Sequence, residues 1–159
     1  MRTRVYLSLG SNLGDRKANL RSAIERLQAV GDVVGVSSFY ETEPVEVTEQ
    51  PWFLNCAVAL EVDQSPRNLL AALLKLEVEM GRQRVQKKGP RKIDVDILLF
   101  GDAIVNEKGL TIPHPGLPER RFVLEPLAEI DPVIRHPKLG KTIQELRDAL
   151  PPGQMVRKI

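Results

Sequence analysis

The chain is 159 residues long, enough for one domain of ordinary size, and with aromatics at 4% its core must come from Leu, Val, Ile and Ala. Its 23 basic and 21 acidic residues leave a net charge of +2, too little to call for a nucleic-acid or membrane partner, and no apolar stretch reads as a signal peptide or membrane span. Cys56 is the only cysteine, which excludes an intrachain disulfide and a Cys-rich zinc site and suits a reducing cytoplasm.

Val5, Leu7 and Leu9 alternate with Tyr6 and Ser8, a strand pattern, and Gly10-Ser11-Asn12-Leu13-Gly14 then reads as a tight turn. Leu20, Ile24 and Leu27 mark a helix by their spacing. Asp15 suits its positive end and Gly31 its stop. Val33 to Phe39 reads as a second strand. Glu41 to Trp52 is polar, holds Pro44 and Pro51, and predicts a loop of about a dozen residues, long enough to suspect function. Asn55 to Val62 is a third strand. Ser65-Pro66 starts a helix with a cap residue and a proline at the first position. Leu69, Leu70, Leu73, Leu76 and Met80 form its buried stripe, and Gly81 ends it. Arg82 to Lys92 is a basic loop, and Ile93 to Phe100 is a fourth strand closed by Gly101-Asp102. The β-α-β-β-α-β order predicts a ferredoxin-like α+β fold with an antiparallel sheet. Beyond Ala103 the pattern adds a short hairpin, a helix near Glu119 to Glu129, another near Thr142 to Leu150, and a loose tail from Pro151. No linker splits the chain, so residues 1–159 are expected to be a single catalytic domain.

The fourth strand carries the chemistry. Asp94 and Asp96 are two apart, so both side chains point to one face, with Cα atoms ~6.5–7 Å apart. Carboxylates that close can converge on one metal or a close metal pair. Their oxygens suit Mg²⁺, which also keeps waters and binds phosphates. The plain alternative is an edge strand bearing two solvated acids. Val95, Ile97, Leu98, Leu99 and Phe100 argue against it, because like charges on an apolar strand are costly unless a cation compensates.

Arg82, Arg84, Lys87, Lys88, Arg91 and Lys92 lie just upstream. Taken alone they read as a solvated surface. Beside the acid pair they suit the phosphates of ATP, which arginine grips bidentately. Gly89-Pro90 is a rigid corner that would hold Arg91 near the acids, with cation and carboxylates on opposite sides of one polyphosphate. The Gly10 to Gly14 turn lacks the Gly-Lys-Ser/Thr ending of a P-loop and the glycine spacing of a dinucleotide fold. His114 stands between Pro113 and Pro115, which fix its direction, although a lone loop histidine is more often structural. His136 is read as structural and Cys56 as inert. Trp52 and Phe53, beside Asn55, suit either core packing or a sandwich around a flat heterocycle.

Two rival readings stay open on the residues alone. One is a metal-dependent nucleotide hydrolase or nuclease using the same acids. The other is a noncatalytic ferredoxin-like module that binds RNA or a small regulator; it wants exposed aromatics on the sheet, for which only Tyr6 and Phe39 are available.

Six segments resemble the 6-hydroxymethyl-7,8-dihydropterin pyrophosphokinase family of folate biosynthesis. They are Gly10-Ser-Asn-Leu-Gly14, Ser37-Ser-Phe-Tyr-Glu-Thr42, Gln50-Pro-Trp-Phe-Leu-Asn55, Gly81-Arg-Gln-Arg84, Gly89-Pro-Arg-Lys-Ile-Asp-Val-Asp-Ile97 and Leu110-Thr-Ile-Pro-His114, in family order. The resemblance implies transfer of diphosphate from ATP to the pterin hydroxymethyl group, with AMP as the other product. It implies that Asp94 and Asp96 hold two Mg²⁺ ions and that Arg82 and Arg91 engage the phosphates. Arg84, Ile97, Thr111, His114 and Arg120 would contact ATP. Thr42, Glu43, Pro44, Val45, Phe53, Asn55 and Phe122 would form the pterin pocket. The loops at 41–52 and 82–92 would close over the substrates, in a cytoplasmic monomer. Three positions depart from some bacterial members: Phe53 replaces a tyrosine, Lys88 an aromatic residue and Gly109 an arginine.

Overall fold

The computed structural model describes residues 2–43, 51–81, 91–153 and 155–159. Strand β1 (Thr3–Ser11) runs into helix α1 (Arg16–Leu27), where the Asp15 side chain caps the helix by accepting from the Ala18 amide. Strands β2 (Asp32–Val36), β3 (Tyr40–Thr42) and β4 (Phe53–Val62) follow, then helix α2 (Pro66–Glu79), capped by Ser65 with proline in its first turn. Strand β5 (Asp94–Phe100) leads to a hairpin of β6 (Val105–Glu107) and β7 (Leu110–Ile112). A 3-10 turn at Leu117–Glu119, helices α3 (Arg121–Ile130) and α4 (Ile143–Asp148) and strand β8 (Val156–Lys158) complete the order.

The main sheet runs β5-β1-β4-β3-β8, with β2 also paired to β4, and every pairing is antiparallel. The four principal strands thus stand in the order expected of the ferredoxin-like core. Side chains alternate across the sheet. Val5, Leu7, Leu9, Leu54, Cys56, Val58 and Leu60 face one side, against Leu20, Ala23 and Leu27 of α1 and Leu69, Leu73 and Leu76 of α2. Tyr6, Ala57 and Ala59 face the other, against Val123, Leu124 and Leu127 of α3 and Ile143 and Leu146 of α4. Helices therefore cover one face fully and the other only in part. Among the described residues no helix is long and apolar enough to cross a membrane.

Three expectations need correction. The second strand does not run from Val33 to Phe39 but breaks after Val36. The Ser37 hydroxyl accepts from the Ala57 amide at 2.8 Å, replacing a ladder carbonyl. The register is reset from Val36 opposite Val58 to Tyr40 opposite Asn55, so the loop expected from Glu41 begins as strand β3. Gly10 and Ser11 belong to β1 and not to a turn. The tail is no loose end: β8 pairs with β3, Glu41 opposite Arg157.

Candidate active site

The half-covered sheet face exposes a row of small and polar side chains beyond the reach of α3. In β5, Val95 and Ile97 point into the first core, so Asp94 and Asp96 point the other way, each half-buried. Across the ladder Asp94 meets Gly10 and Asp96 meets Ser8. One strand further on, Gly10 faces Asn55 and Ser8 faces Ala57, and beyond them Asn55 faces Tyr40 and Phe53 faces Thr42. The acids and the polar pocket residues expected from sequence thus share one face. A Cβ on Gly10 would lie 2.8 Å from Asn55 Nδ2 and 3.4 Å from Phe53 Cδ1. A methyl there would make the Asn55 amide shift, while its approach to Phe53 would be an ordinary contact.

Arg91 closes the other end. Its guanidinium donates to Asp94 Oδ2 at 3.0 Å. The sequence expectation put cation and carboxylates on opposite sides of a polyphosphate; here the guanidinium lies on the acid itself, because a partly buried carboxylate three residues away is its nearest countercharge. Asn12 fixes the arginine's main chain. Its Oδ1 accepts from the Arg91 amide at 2.6 Å and its amide donates to the Arg91 carbonyl at 3.0 Å. Its Nδ2 donates to the Pro51 carbonyl at 3.1 Å, so one buried side chain ties together the strand end, the root of the basic loop and the end of the 41–52 loop.

Three buried atoms around this face have no hydrogen-bond partner among the described residues: Thr42 Oγ1, Asn55 Oδ1 and Arg91 Nε. A buried polar group left unpaired costs about 1–3 kcal/mol, and so many on one face mark a place for a ligand with polar edges. Asn55 Oδ1 can only accept, so that ligand must offer an N–H or O–H there. Arg91 Nε can only donate and suits an anion.

His114 is brought to the same end. Its amide donates to the Leu98 carbonyl at 3.0 Å, anchoring it beside β5. Its Nδ1 accepts from the Gly116 amide at 3.0 Å, which leaves Nε2 as the protonated nitrogen of the neutral ring. Burial, with Arg120 nearby, lowers its pKa, and Asp94 partly opposes this. Arg120 stands at the N-cap position of α3 without a side-chain capping bond, and its guanidinium lies over the Phe122 ring at 5.7 Å. Thr111 is exposed on β7. Gly109 has φ +77° at the tip of the β6-β7 hairpin, so glycine there serves the turn.

Two residues differ from their expected roles in how they are presented. The Ile97 side chain is buried in the core on the opposite face, so only its main chain can meet a ligand, along the outer edge of β5. Glu43 is turned to the chain's last strand: its Oε1 accepts from the Met155 amide at 2.8 Å. Arg82, Arg84, Pro44, Val45 and Lys88 lie outside the described residues. Cys56 is buried in the core, and burial pushes its thiol up to about 12.

The acids fit a divalent cation by their chemistry. Among the described residues no group of three or more His, Cys, Asp or Glu gathers for a metal. A two-carboxylate site with hard oxygens is what a cation that keeps waters and phosphate oxygens requires. A cleft of about 400 Å³ between α1 and α2 is lined by Ser22, Arg26, Glu79 and Lys92 among others; Lys92 is the one residue of the upstream basic run there, and none of the metal, ATP or pterin residues implied by the resemblance lines it. Gly10, Ser8, Asn12 and Glu77 were missed by sequence reasoning. Buried Glu77 of α2 accepts from the Val95 amide at 2.7 Å, bracing β5 between the two acids. The signal for Ser8 and Gly10 was available in the small residues that alternate with Val5, Leu7 and Leu9. The signal for Glu77 was its spacing, four after Leu73 and three before Met80, which puts an acid on the apolar stripe.

Comparison with known proteins agrees with this geometry. The family model described as 7,8-dihydro-6-hydroxymethylpterin-pyrophosphokinase matches residues 6–132. A Methylorubrum extorquens protein named 2-amino-4-hydroxy-6-hydroxymethyldihydropteridine pyrophosphokinase is 44% identical over 98% of both chains. The folic acid synthesis protein fol1 of Schizosaccharomyces pombe is 45% identical over 92% of this chain, which spans only 20% of that protein. In fold, the chain resembles the Plasmodium falciparum HPPK-DHPS crystal structure with pterin and p-hydroxybenzoate. The TM-score is 0.75 at 18% identity, covering 93% of this chain and 42% of that one. With an acid pair, an arginine and the Asn55 amide on one sheet face, a family model matched over residues 6–132 and a relative matched along nearly its whole length, the chain belongs to the 7,8-dihydro-6-hydroxymethylpterin-pyrophosphokinase family.

Proposed function

We propose that residues 1–159 form a single catalytic domain that transfers diphosphate from ATP to the hydroxymethyl group of 6-hydroxymethyl-7,8-dihydropterin, releasing AMP, in folate biosynthesis. The observation that carries this reading is the shared face: Asp94, Asp96 and Arg91 at one end, Asn55 and Thr42 with unpaired buried oxygens at the other. A flat heterocycle with N–H edges fits the Asn55 and Thr42 end, beside the Phe53 ring. A polyphosphate fits the acid and arginine end. Gly10 borders both ends, opposite Asp94 on one side and Asn55 on the other.

Asp94 and Asp96 would hold the divalent cation, in this reading two Mg²⁺ ions, which neutralises phosphate charge when bound. The protein's own groups position the reactants. Arg91, with Arg82, engages the phosphates, and the Arg91 Nε–H donates to them. His114, neutral, donates from Nε2 to a nucleotide oxygen, while Arg84, Thr111, Arg120 and the Ile97 main chain complete the ATP site. Phe53, Phe122 and residues 42–45 complete the pterin pocket. The hydroxymethyl oxygen attacks the β-phosphorus, its proton leaves to water, and the bond to the α-phosphate oxygen breaks with AMP as leaving group. Such transfer depends on alignment and on neutralised charge more than on a strong base. The same reading makes the protein a cytoplasmic monomer that binds small molecules and no nucleic acid.

Chromatography of reaction products tests this. AMP and pterin diphosphate are expected only when ATP, Mg²⁺ and the hydroxymethyl pterin are all present. ADP as the nucleotide product, or AMP formation without pterin, would refute the reading and favour the hydrolase.

A further inference from the structure

Thr42 stands on β3, a strand of three residues, too short to hold its own place. Its position is set by what grips it. On its outer edge, β8 pairs with it from Tyr40 opposite Lys158 to Thr42 opposite Val156. The pairing extends past both ends: the Ile159 amide donates to the Phe39 carbonyl at 3.0 Å, and the Glu43 amide to the Met155 carbonyl at 3.2 Å. On the substrate side of the sheet, the Tyr40 hydroxyl donates to Glu129 Oε1.

The opposite side carries the strongest grip. The Glu41 carboxylate, 16% exposed, receives Arg16 of α1 on Oε2 at 2.9 Å and Arg157 of β8 on Oε1 at 2.7 Å. The same two arginines hold Trp52. Arg16 donates to the Trp52 carbonyl at 2.9 Å, and the Arg157 guanidinium lies 5.7 Å from the centre of the Trp52 ring. Glu41 and Trp52 are the immediate neighbours of Thr42 and Phe53 in sequence, and they stand on either side of residues 44–50. One cluster therefore fixes both banks of the chain that lead into the pterin end of the site. The strand that supplies Arg157 lies beyond residues 6–132, the part matched by the family model.

We infer that Glu41 is a positioning residue for pterin binding, locked by Arg16 and by Arg157 of strand β8, and that it acts through Thr42 and Phe53 without touching substrate. The inference rests on the reading that Thr42 and Asn55 face the pterin. A merely structural role is the rival. The Arg157 side chain is 64% exposed, and ion pairs that exposed contribute little to global stability. Misplacement of a substrate contact by a fraction of an ångström, in contrast, is felt strongly in binding and turnover.

The test is steady-state kinetics with each substrate varied in turn, alongside thermal melts, on Glu41→Gln, Arg157→Ala, Arg157→Lys and Thr42→Val. KM for the pterin is expected to rise roughly three- to tenfold in Glu41→Gln and Arg157→Ala, with KM for ATP within about twofold and Tm within a few degrees. Arg157→Lys should recover part of the loss, because it keeps the charge but not the fork over Trp52. Two results overturn the inference while sparing the pocket. One is an unchanged pterin KM in Glu41→Gln when Thr42→Val raises it. The other is a loss shared equally by both substrates and matched by a fall in Tm. If Thr42→Val itself leaves the pterin KM unchanged, the pocket reading falls and this inference falls with it.

Discussion

Two single residues carry opposite lessons about the site. Asp96 was readable from strand period alone, since its two-residue spacing from Asp94 put both acids on one face. Its replacement by asparagine keeps the shape and removes a charge from the proposed cation site. Turnover should fall by about a hundredfold or more, while the melting temperature moves by no more than a few degrees; near-normal rates at saturating Mg²⁺ would remove Asp96 from the site. Gly10 was read as part of a turn and of a family segment, without a role of its own. Its importance depends on Asn55 and Phe53, which lie 45 and 43 residues away in sequence and meet it only across the β1-β4 ladder. In Gly10→Ala the new methyl would stand 2.8 Å from Asn55 Nδ2, so the amide must move. The pterin KM should rise roughly tenfold with the ATP KM little changed. Titrating each substrate against the variant checks this, and an equal rise in both would show that the methyl disturbs the whole sheet instead.

At the scale of elements, the sequence was legible where periodicity is intrinsic to the segment. β1, β4 and β5 alternate cleanly, and α1 and α2 carry apolar stripes between recognisable caps. It was not legible where one element depends on a distant one. The break between β2 and β3 arises because the Ser37 hydroxyl replaces a ladder carbonyl for Ala57, and no spacing rule announces that. β8 is Val-Arg-Lys, too short for a pattern, and exists because β3 offers it an edge. The loop roots belong to the same class. Asn12 holds the main chain of Arg91 and the carbonyl of Pro51 at once, coupling the two loops expected to close over substrates. Asn12→Ala leaves the Arg91 amide without its acceptor, a loss of about 1–3 kcal/mol. The melting temperature should drop by several degrees, and kcat at saturating substrates should fall about tenfold as Arg91 loses its register. A lower melting temperature with unchanged kcat would make Asn12 a fold residue only.

At the scale of the whole molecule, the two faces of the sheet are closed differently, and this sets the response to acid. The first core lies under α1 and α2. The second depends on α3 and α4, and α4 is tethered through the segment around His136. The Ile143 amide donates to the Ile134 carbonyl at 3.0 Å, the His136 amide to the Lys141 carbonyl at 2.8 Å, and the Gly140 amide to the His136 carbonyl at 2.8 Å. His136 is 4% exposed, and its Nδ1 accepts from the amides of Lys138 and Leu139, both at 3.2 Å. A ring nitrogen that accepts cannot carry a proton, so this arrangement holds only for the neutral ring. Burial, and then Lys138, lower its pKa. His114 is lowered as well, chiefly by burial. Both groups therefore take up protons less readily folded than unfolded, where a histidine titrates near ~6.5. Stability is fully present above that value and is lost as pH falls from it toward the folded values. The chain has only two histidines, and each contributes a slope of this sign as the pH falls from about 7 to 5.5. Melting temperatures at pH 7.5, 6.5 and 5.5 should fall on acidification in the native chain. In His136→Gln the fall should be smaller, because one of the two titrating rings is gone while an amide oxygen can still accept from Lys138 and Leu139. An identical fall in both proteins would mean that His136 takes up its proton as freely in the fold as out of it, and that the tether of α4 survives the charge.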